Sequence, residues 1–141
     1  MIVLDTNVVS EPMKTNGSPN VQAWLDRQAP ETLFLTATSL SELLVGIEIL
    51  PQGKRRAGLD AALVTLIDSL FETRVLAFDR AAALVCASSV SRARSTGRSL
   101  SVADAQIAAI ATLHGYSVAT RDIEPFVAAG VAVINPWIAA G

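Results

Sequence analysis

Four acidic residues, Asp5, Glu42, Asp104 and Asp122, stand where this sequence could do chemistry. Asp5 ends the apolar run Met1-Ile2-Val3-Leu4, Glu42 and Asp104 fall near the starts of apolar helical patterns, and Asp122 follows Ser117-Val118-Ala119-Thr120. An apolar run that stops on an aspartate reads as a buried parallel strand delivering a carboxylate to the edge where open α/β sheets bind ligands. Each acid alone has a bland explanation, because carboxylates in a helix's first turn gain about 0.3–1 kcal/mol from the dipole and from capping. Together they make a different case. Carboxylates within about 4 Å of one another repel by several kcal/mol even at an effective dielectric near 20, so such a cluster needs a cation. No histidine or cysteine accompanies them, and an all-oxygen donor set selects Mg²⁺ or Mn²⁺ over zinc.

Other chemistries find little footing. The chain has neither G-x-x-x-x-G-K-[ST] nor G-x-G-x-x-G, so nucleotide-cofactor readings lack a phosphate cradle. A phosphoacceptor site needs a lysine near the last strands, and the only lysines are Lys14 and Lys54. The single histidine, His114, sits in a helix's last turn before Gly115, the wrong end for a Ser-His-Asp triad at the acidic edge. Cys86, the one cysteine, lies in the apolar run Ala81 to Ala87 and reads as a small core residue. Metal-assisted hydrolysis is what remains. Without a general base, water is the expected nucleophile.

The elements that must position these acids alternate along the chain. Ser18-Pro19 opens a helix with Val21, Trp24 and Leu25 on one face. Thr32 to Thr36 is a second strand, and Ser39-x-x-Glu42 has the spacing of a capping box opening a helix to Ile49. Leu59 to Leu70 is a helix preceded by Lys54-Arg55-Arg56, and Val75 to Phe78 is a strand. Asp79 caps a helix through Val90, Ser101 caps one over Val102 to His114, and strands follow at Ser117 to Thr120 and Val131 to Ile134. Alternation of this kind predicts an α/β fold of three layers with a central parallel sheet of about five strands. With no repeat or linker, residues 1–141 are expected to form a single domain.

Composition bounds the partners. The chain is 51% hydrophobic and only 17% charged, so an apolar surface large enough for an interface is expected, and with it a homodimer. The faces after Trp24 and along Leu40, Leu43, Leu44 and Ile47 are the candidates. No apolar run is long enough to span a bilayer, and the N-terminus lacks the basic n-region of a signal peptide, so a cytoplasmic protein is expected. A net charge of -2 argues against holding nucleic acid by a broadly basic surface; if the chain meets nucleic acid, a metal or a local patch must help, and Arg92, Arg94 and Arg98 or the Lys54 cluster read equally as solvated helix ends.

The segments Leu4-Asp5-Thr6-Asn7-Val8, Ser41-Glu42-Leu43, Ala103-Asp104-Ala105-Gln106-Ile107-Ala108 and Thr120-Arg121-Asp122 resemble, in order and spacing, the PIN-domain nucleases and among them the VapC-type toxins of bacterial toxin–antitoxin pairs. Pro125-Phe126 and the ending Asn135-Pro136-Trp137 resemble the FitB-like branch. The resemblance implies a Mg²⁺- or Mn²⁺-dependent endoribonuclease with Asp5, Glu42, Asp104 and Asp122 as its acidic site. It also implies RNA as substrate and a small DNA-binding antitoxin that lays an apolar segment in a groove, with a basic side chain against the acids. Thr120 and Asn7 match positions that flank the family's site. One departure stands out: many relatives place the last acid where Pro125 stands here, which leaves Asp122 or the nearby Glu124 as the fourth carboxylate. Two rival readings are a non-catalytic α/β protein-binding domain, whose acids only cap helices, and a DNA nuclease of the same fold.

Overall fold

Short strands buried on both faces form the middle of the molecule. A computed structural model describes residues 1–138 and contains β1 (Ile2–Leu4), β2 (Leu33–Thr36), β3 (Val75–Leu76), β4 (Ser117–Ala119) and β5 (Val133–Ile134). They form one five-stranded sheet in the order β3-β2-β1-β4-β5, and every pairing is parallel. The chain therefore winds outward from β1 on one side, then crosses over to start again at β4 on the other. The crevice at the carboxyl ends of β1 and β4 is the topological switch point, the place where such sheets bind ligands. This is the three-layer parallel α/β architecture that the alternation predicts.

Alternation along the strands divides the core in two. Leu4, Leu33, Leu35 and Ala119 pack with Val8, Val21, Trp24, Leu43, Ile47, Leu63 and Phe71 on one face. Val3 and Val118 pack with Ile107, Ala108, Ala111, Phe126 and Ala129 on the other. Full burial of each larger side chain contributes about 1.5–3 kcal/mol, so the edge acids hang from a rigid frame.

Seven α-helices cover the sheet among the described residues: α1 (Thr6–Ser10), α2 (Pro19–Asp26), α3 (Ala37–Glu48), α4 (Lys54–Leu66), α5 (Arg80–Ser95), α6 (Val102–His114) and α7 (Ile123–Ala128). None is long and apolar enough to cross a membrane. Several boundaries differ from the sequence reading, each for a local reason. Helix α3 starts before Ser39, because Thr36 at the end of β2 is its cap and accepts the Ser39 N–H at 3.0 Å. Lys54-Arg55-Arg56 forms the first turn of α4 instead of preceding it, and Arg92 and Arg94 lie inside the last turn of α5. Helices α1 and α7 are additions; Pro125 fits within the first turn of α7, where a missing N–H costs nothing.

The expected apolar interface also shifts. Trp24, Leu43 and Ile47 are core residues, whereas Leu44, Val45 and Ile49 of α3 and Val64 of α4 are exposed. Cys86 is half-buried on α5 instead of fully enclosed.

Between α1 and α2 the chain folds back on itself. Buried Glu11 accepts the Ser18 N–H at 3.1 Å, and its other oxygen lies 3.0 Å from the Lys14 ammonium, a charge pair without a directed hydrogen bond. Pairing with Lys14 is the main reason that the Glu11 carboxyl is held below its usual range. Gly17 closes this loop so tightly that a Cβ there would stand 2.5 Å from the Glu11 carbonyl oxygen. Gly17→Ala is therefore expected to destabilise the protein by about 1–3 kcal/mol, as overpacking does. A thermal melt of the variant matching that of the parent would show that the loop is free to yield.

Candidate active site

Each of the four acids reaches the switch-point edge by a separate element. Asp5 is the N-cap of α1 directly after β1, and its Oδ1 accepts the Thr6 N–H at 2.8 Å. Its other oxygen accepts the Thr120 hydroxyl at 2.8 Å and, weakly, the Asn7 amide at 3.5 Å. Thr120 is fully buried at the end of β4, and its hydroxyl also accepts the Asp122 N–H at 3.1 Å. One hydroxyl thus ties the end of β1 to the turn that carries Asp122. On the same turn, Asn7 Oδ1 accepts the Arg121 N–H at 3.4 Å.

Glu42 is not a capping residue, since α3 begins at Ala37 and has no acid in its first turn. Its Oε1 instead accepts the Thr6 hydroxyl at 2.7 Å, which brings it beside Asp5 from an element 36 residues away. Asp104 does sit in the first turn of α6, where the Ser101 cap accepts its N–H at 3.1 Å. The first turns of α3 and α6 are locked together by the Thr38 hydroxyl, which donates to Gln106 Oε1 at 2.9 Å. Thr6, Thr38 and Gln106 are positioning residues that sequence reasoning did not single out. Their partners lie far away in the chain, so only the fold reveals the pairing.

Charge at this edge is one-sided. Asp5 is only 6% exposed. Burial pushes its carboxyl above the ordinary value, hydrogen bonds from Thr120 and Thr6 oppose this, and the charges of Asp104 and Glu42 add to the rise. Asp104 is raised for similar reasons, burial first and then the charges of Asp122 and Glu42, against the Ser101 hydrogen bond. The charges of Asp104 and Glu42 thus act on Asp5, and those of Asp122 and Glu42 on Asp104. Among the described residues no lysine or arginine pairs with any of them; the three ion pairs are Lys14–Glu11, Arg56–Glu48 and Arg98–Glu124. Glu124, the alternative fourth acid, is thus turned towards Arg98 at 3.5 Å. His114 is remote in role as well as in chain position, stacking on Tyr116 at the far end of α6.

The donor set suits a hydrated hard cation. Among the described residues no three acidic side chains stand close enough to grip one ion together. Mg²⁺ keeps several of its waters and is commonly held through one or two carboxylates plus substrate phosphate, which matches spread carboxylates better than a closed protein cage would.

An acidic edge at the switch point of a parallel sheet marks an α/β protein whose carboxylates are suited to an oxygen-bound divalent cation. The PIN domain family model matches residues 2–131, and the chain belongs to the PIN-domain family. Relatives include the VapC ribonuclease Y4jK of Sinorhizobium fredii, 44% identical with 97% of this chain and 98% of that protein covered. Toxin FitB of Neisseria gonorrhoeae is 43% identical, covering 97% and 99%. Among solved structures, FitAcB from Neisseria gonorrhoeae superposes with a TM-score of 0.94 at 42% identity, covering 99% of this chain and 100% of that one. VapBC-5 from Mycobacterium tuberculosis, a member of the VapBC family of toxin–antitoxin systems, gives 0.68 at 28% identity over 94% of each chain.

The raised acids set a pH dependence with a definite sign. A carboxyl whose folded pKa lies above its ordinary value of 3.8 favours folding below that value, and the benefit is lost as pH rises through the folded pKa. In chelator at neutral pH the ionised Asp5 therefore costs stability, and Asp5→Asn is expected to melt higher than the parent, since the Thr120 hydroxyl can reverse to accept from the new amide. The gain should vanish as pH approaches 3.8. Millimolar Mn²⁺ should raise the melting temperature of the parent and not of the variant, and its affinity should fall with acidification starting above the ordinary carboxylate range. Melting curves that ignore Mn²⁺ would remove the cation site.

Proposed function

We infer that this protein is a Mg²⁺- or Mn²⁺-dependent endoribonuclease, the toxin of a toxin–antitoxin pair. The observation that carries the reading is a set of four carboxylates, two of them raised by burial and by the charges of the others, unpaired with any lysine or arginine among the described residues, at the switch point of a PIN fold. Likeness along nearly the whole chain to a VapC ribonuclease and to the toxin FitB supports RNA as substrate over DNA. The same likeness favours an enzyme over a binding domain whose acids merely cap helices. So does Glu42, which caps nothing.

Asp5 and Asp104 are assigned as the principal metal ligands, with Glu42 and Asp122 completing the shell directly or through water. When bound, the cation supplies Lewis acidity that activates water and offsets charge building on phosphorus. Thr120 and Thr6 fix the rotamers of Asp5 and Glu42, so that little reorganisation is left for the reaction itself. No histidine stands at the edge to deprotonate a ribose 2′-hydroxyl, which is why water is assigned as the nucleophile. Asp5→Asn and Asp104→Asn should each lower kcat by at least about 10²-fold while the far-ultraviolet circular dichroism stays unchanged, a loss of the size that removing one electrostatic group causes. Cleavage at the parent rate by either variant would strike that residue from the mechanism. End-group analysis should give 5′-phosphate and 3′-hydroxyl, and a cyclic phosphate would refute the water route.

The partner follows from a cleft of about 700 Å³ between α3 and α4, floored by Leu43, Ile47, Leu59 and Leu63 and ending at Thr6 and Glu42. An apolar segment of a small DNA-binding antitoxin laid along it would carry a basic side chain to the acids, where it would take the place of the cation. Exposed Leu44, Val45, Ile49 and Val64 border the same helices and suit the apolar contacts of an antitoxin and of a homodimer. Co-expression with the neighbouring antitoxin should therefore suppress RNA cleavage and yield a complex larger than one copy of each chain. A monomer that stays fully active in the antitoxin's presence would contradict this assignment.

A further inference from the structure

The turn that leaves the switch point carries a cation, Arg121, that makes no ion pair among the described residues. Arg121 follows Thr120, so its backbone lies on the turn that leaves the switch point, pinned by its N–H to Asn7 Oδ1 at 3.4 Å. Its guanidinium carbon rests 5.3 Å from the centre of the Trp137 ring. Buried Glu11 feels its charge. Yet among the described residues the guanidinium makes no ion pair and donates no hydrogen bond. An arginine has five N–H donors in a planar fork, and contact with an aromatic ring consumes none of them.

Trp137 is itself held in place. Its carbonyl accepts the Asn20 amide of α2 at 2.8 Å, its N–H donates to Asn135 at 3.0 Å, and it packs against the larger core cluster. The platform under the arginine is therefore ordered before any substrate arrives. A net charge of -2 and four carboxylates at the edge would repel a polyanion, so a guanidinium carried by the turn between Thr120 and Asp122 answers a definite electrostatic need.

We propose that Arg121, presented on Trp137, is a substrate-positioning residue that grips a backbone phosphate of single-stranded RNA next to the scissile bond. The proposal rests on the ribonuclease reading above. Its role is uniform binding of the sugar–phosphate chain, without base selection, since the fork geometry fits two phosphate oxygens. Arg98, on the far side of Asp122, is instead occupied by Glu124 and does not share this role.

Steady-state cleavage of a fluorogenic single-stranded RNA in Mg²⁺, across a series of salt concentrations, tests this. Arg121→Ala should raise KM about tenfold, the size of a lost charge-assisted hydrogen bond, with the loss falling on KM rather than kcat. The slope of log kcat/KM against log salt should become shallower by about 0.7, one phosphate contact on a single strand. Arg121→Lys should keep the parent slope and recover part of the KM, and Trp137→Leu should raise KM by a smaller factor. Mn²⁺ affinity and melting temperature should match the parent in Arg121→Ala. An unchanged KM and salt slope in Arg121→Ala would overturn the clamp while leaving the ribonuclease reading intact. A fall in melting temperature or Mn²⁺ affinity that accounts for the loss would make Arg121 structural and overturn it too. If the parent protein itself fails to cut RNA in any divalent cation, the ribonuclease reading falls first, and the clamp with it.

Discussion

A carboxylate buried at the end of the central strand is the constraint that the rest of this structure answers. Asp5 has almost no contact with water, and an isolated charge moved from water into protein costs several kcal/mol after relaxation. Burial of the strand cannot be given up, because β1 pairs on both sides and its residues join both cores. The cost is instead met by donors that the sheet brings within reach. The Thr6 N–H comes free with the start of α1, and the Thr120 hydroxyl arrives from β4 because parallel pairing of Leu4 with Ala119 sets the next residues side by side. These donors compensate only part of the charge, and the carboxyl remains raised. The remainder is a cost that protonation relieves and that, on the function proposed above, a bound cation would relieve.

Topology explains why that cost is concentrated. A sheet that winds outward from β1 in both directions leaves a crevice only between β1 and β4, and the elements entering it come from widely separated parts of the chain. Asp5 and Asp122 arrive from the two strands that flank the crevice, Glu42 from α3, and Asp104 from α6. The Thr38–Gln106 bond then fixes the relative height of the two helices. The Thr38–Gln106 bond is neutral and worth about 0.5–1.5 kcal/mol, the hydroxyl bonds to the Asp5 and Glu42 carboxylates about 1.5–3 kcal/mol each, and none would hold the acids against repulsion alone. The cores carry that load, and the polar links only choose rotamers.

Much of this was legible in the residues, and the failures were of one kind. Parallel strands buried on both faces read as short apolar runs, and the turn chemistry of Asp79, Ser101 and Gly115 marked real helix ends. Asp5 was legible at the sheet edge because a charged residue directly after an apolar strand is unusual. The start of α3 was misread because Ser39-x-x-Glu42 has the capping-box spacing, whereas Thr36 already occupied the cap. That choice depends on β2 ending at Thr36, a tertiary fact. Helix α1 was missed in the sequence, and the Thr6–Glu42 and Thr120–Asp5 bonds span 36 and 115 residues. Local spacing carries no trace of such pairs.

One electrostatic need can also serve two states of the protein. The carboxylates prefer any cation that reaches them, and the choice between a metal ion and a partner's basic side chain turns on what else each brings. A hydrated Mg²⁺ brings charge alone and leaves positions open for phosphate, so the site that binds it stays reactive. A basic side chain delivered along the α3–α4 cleft brings buried apolar area as well, over Leu43, Ile47, Leu59 and Leu63, and leaves no open position. At about 25 cal/mol per Å² of apolar surface, even a few turns of a docked helix contribute more binding energy than one exposed charge pair. Occupancy of the site is then decided by the cleft rather than by the acids, which lets a protein partner silence a metal site without matching the metal's affinity for carboxylate oxygen.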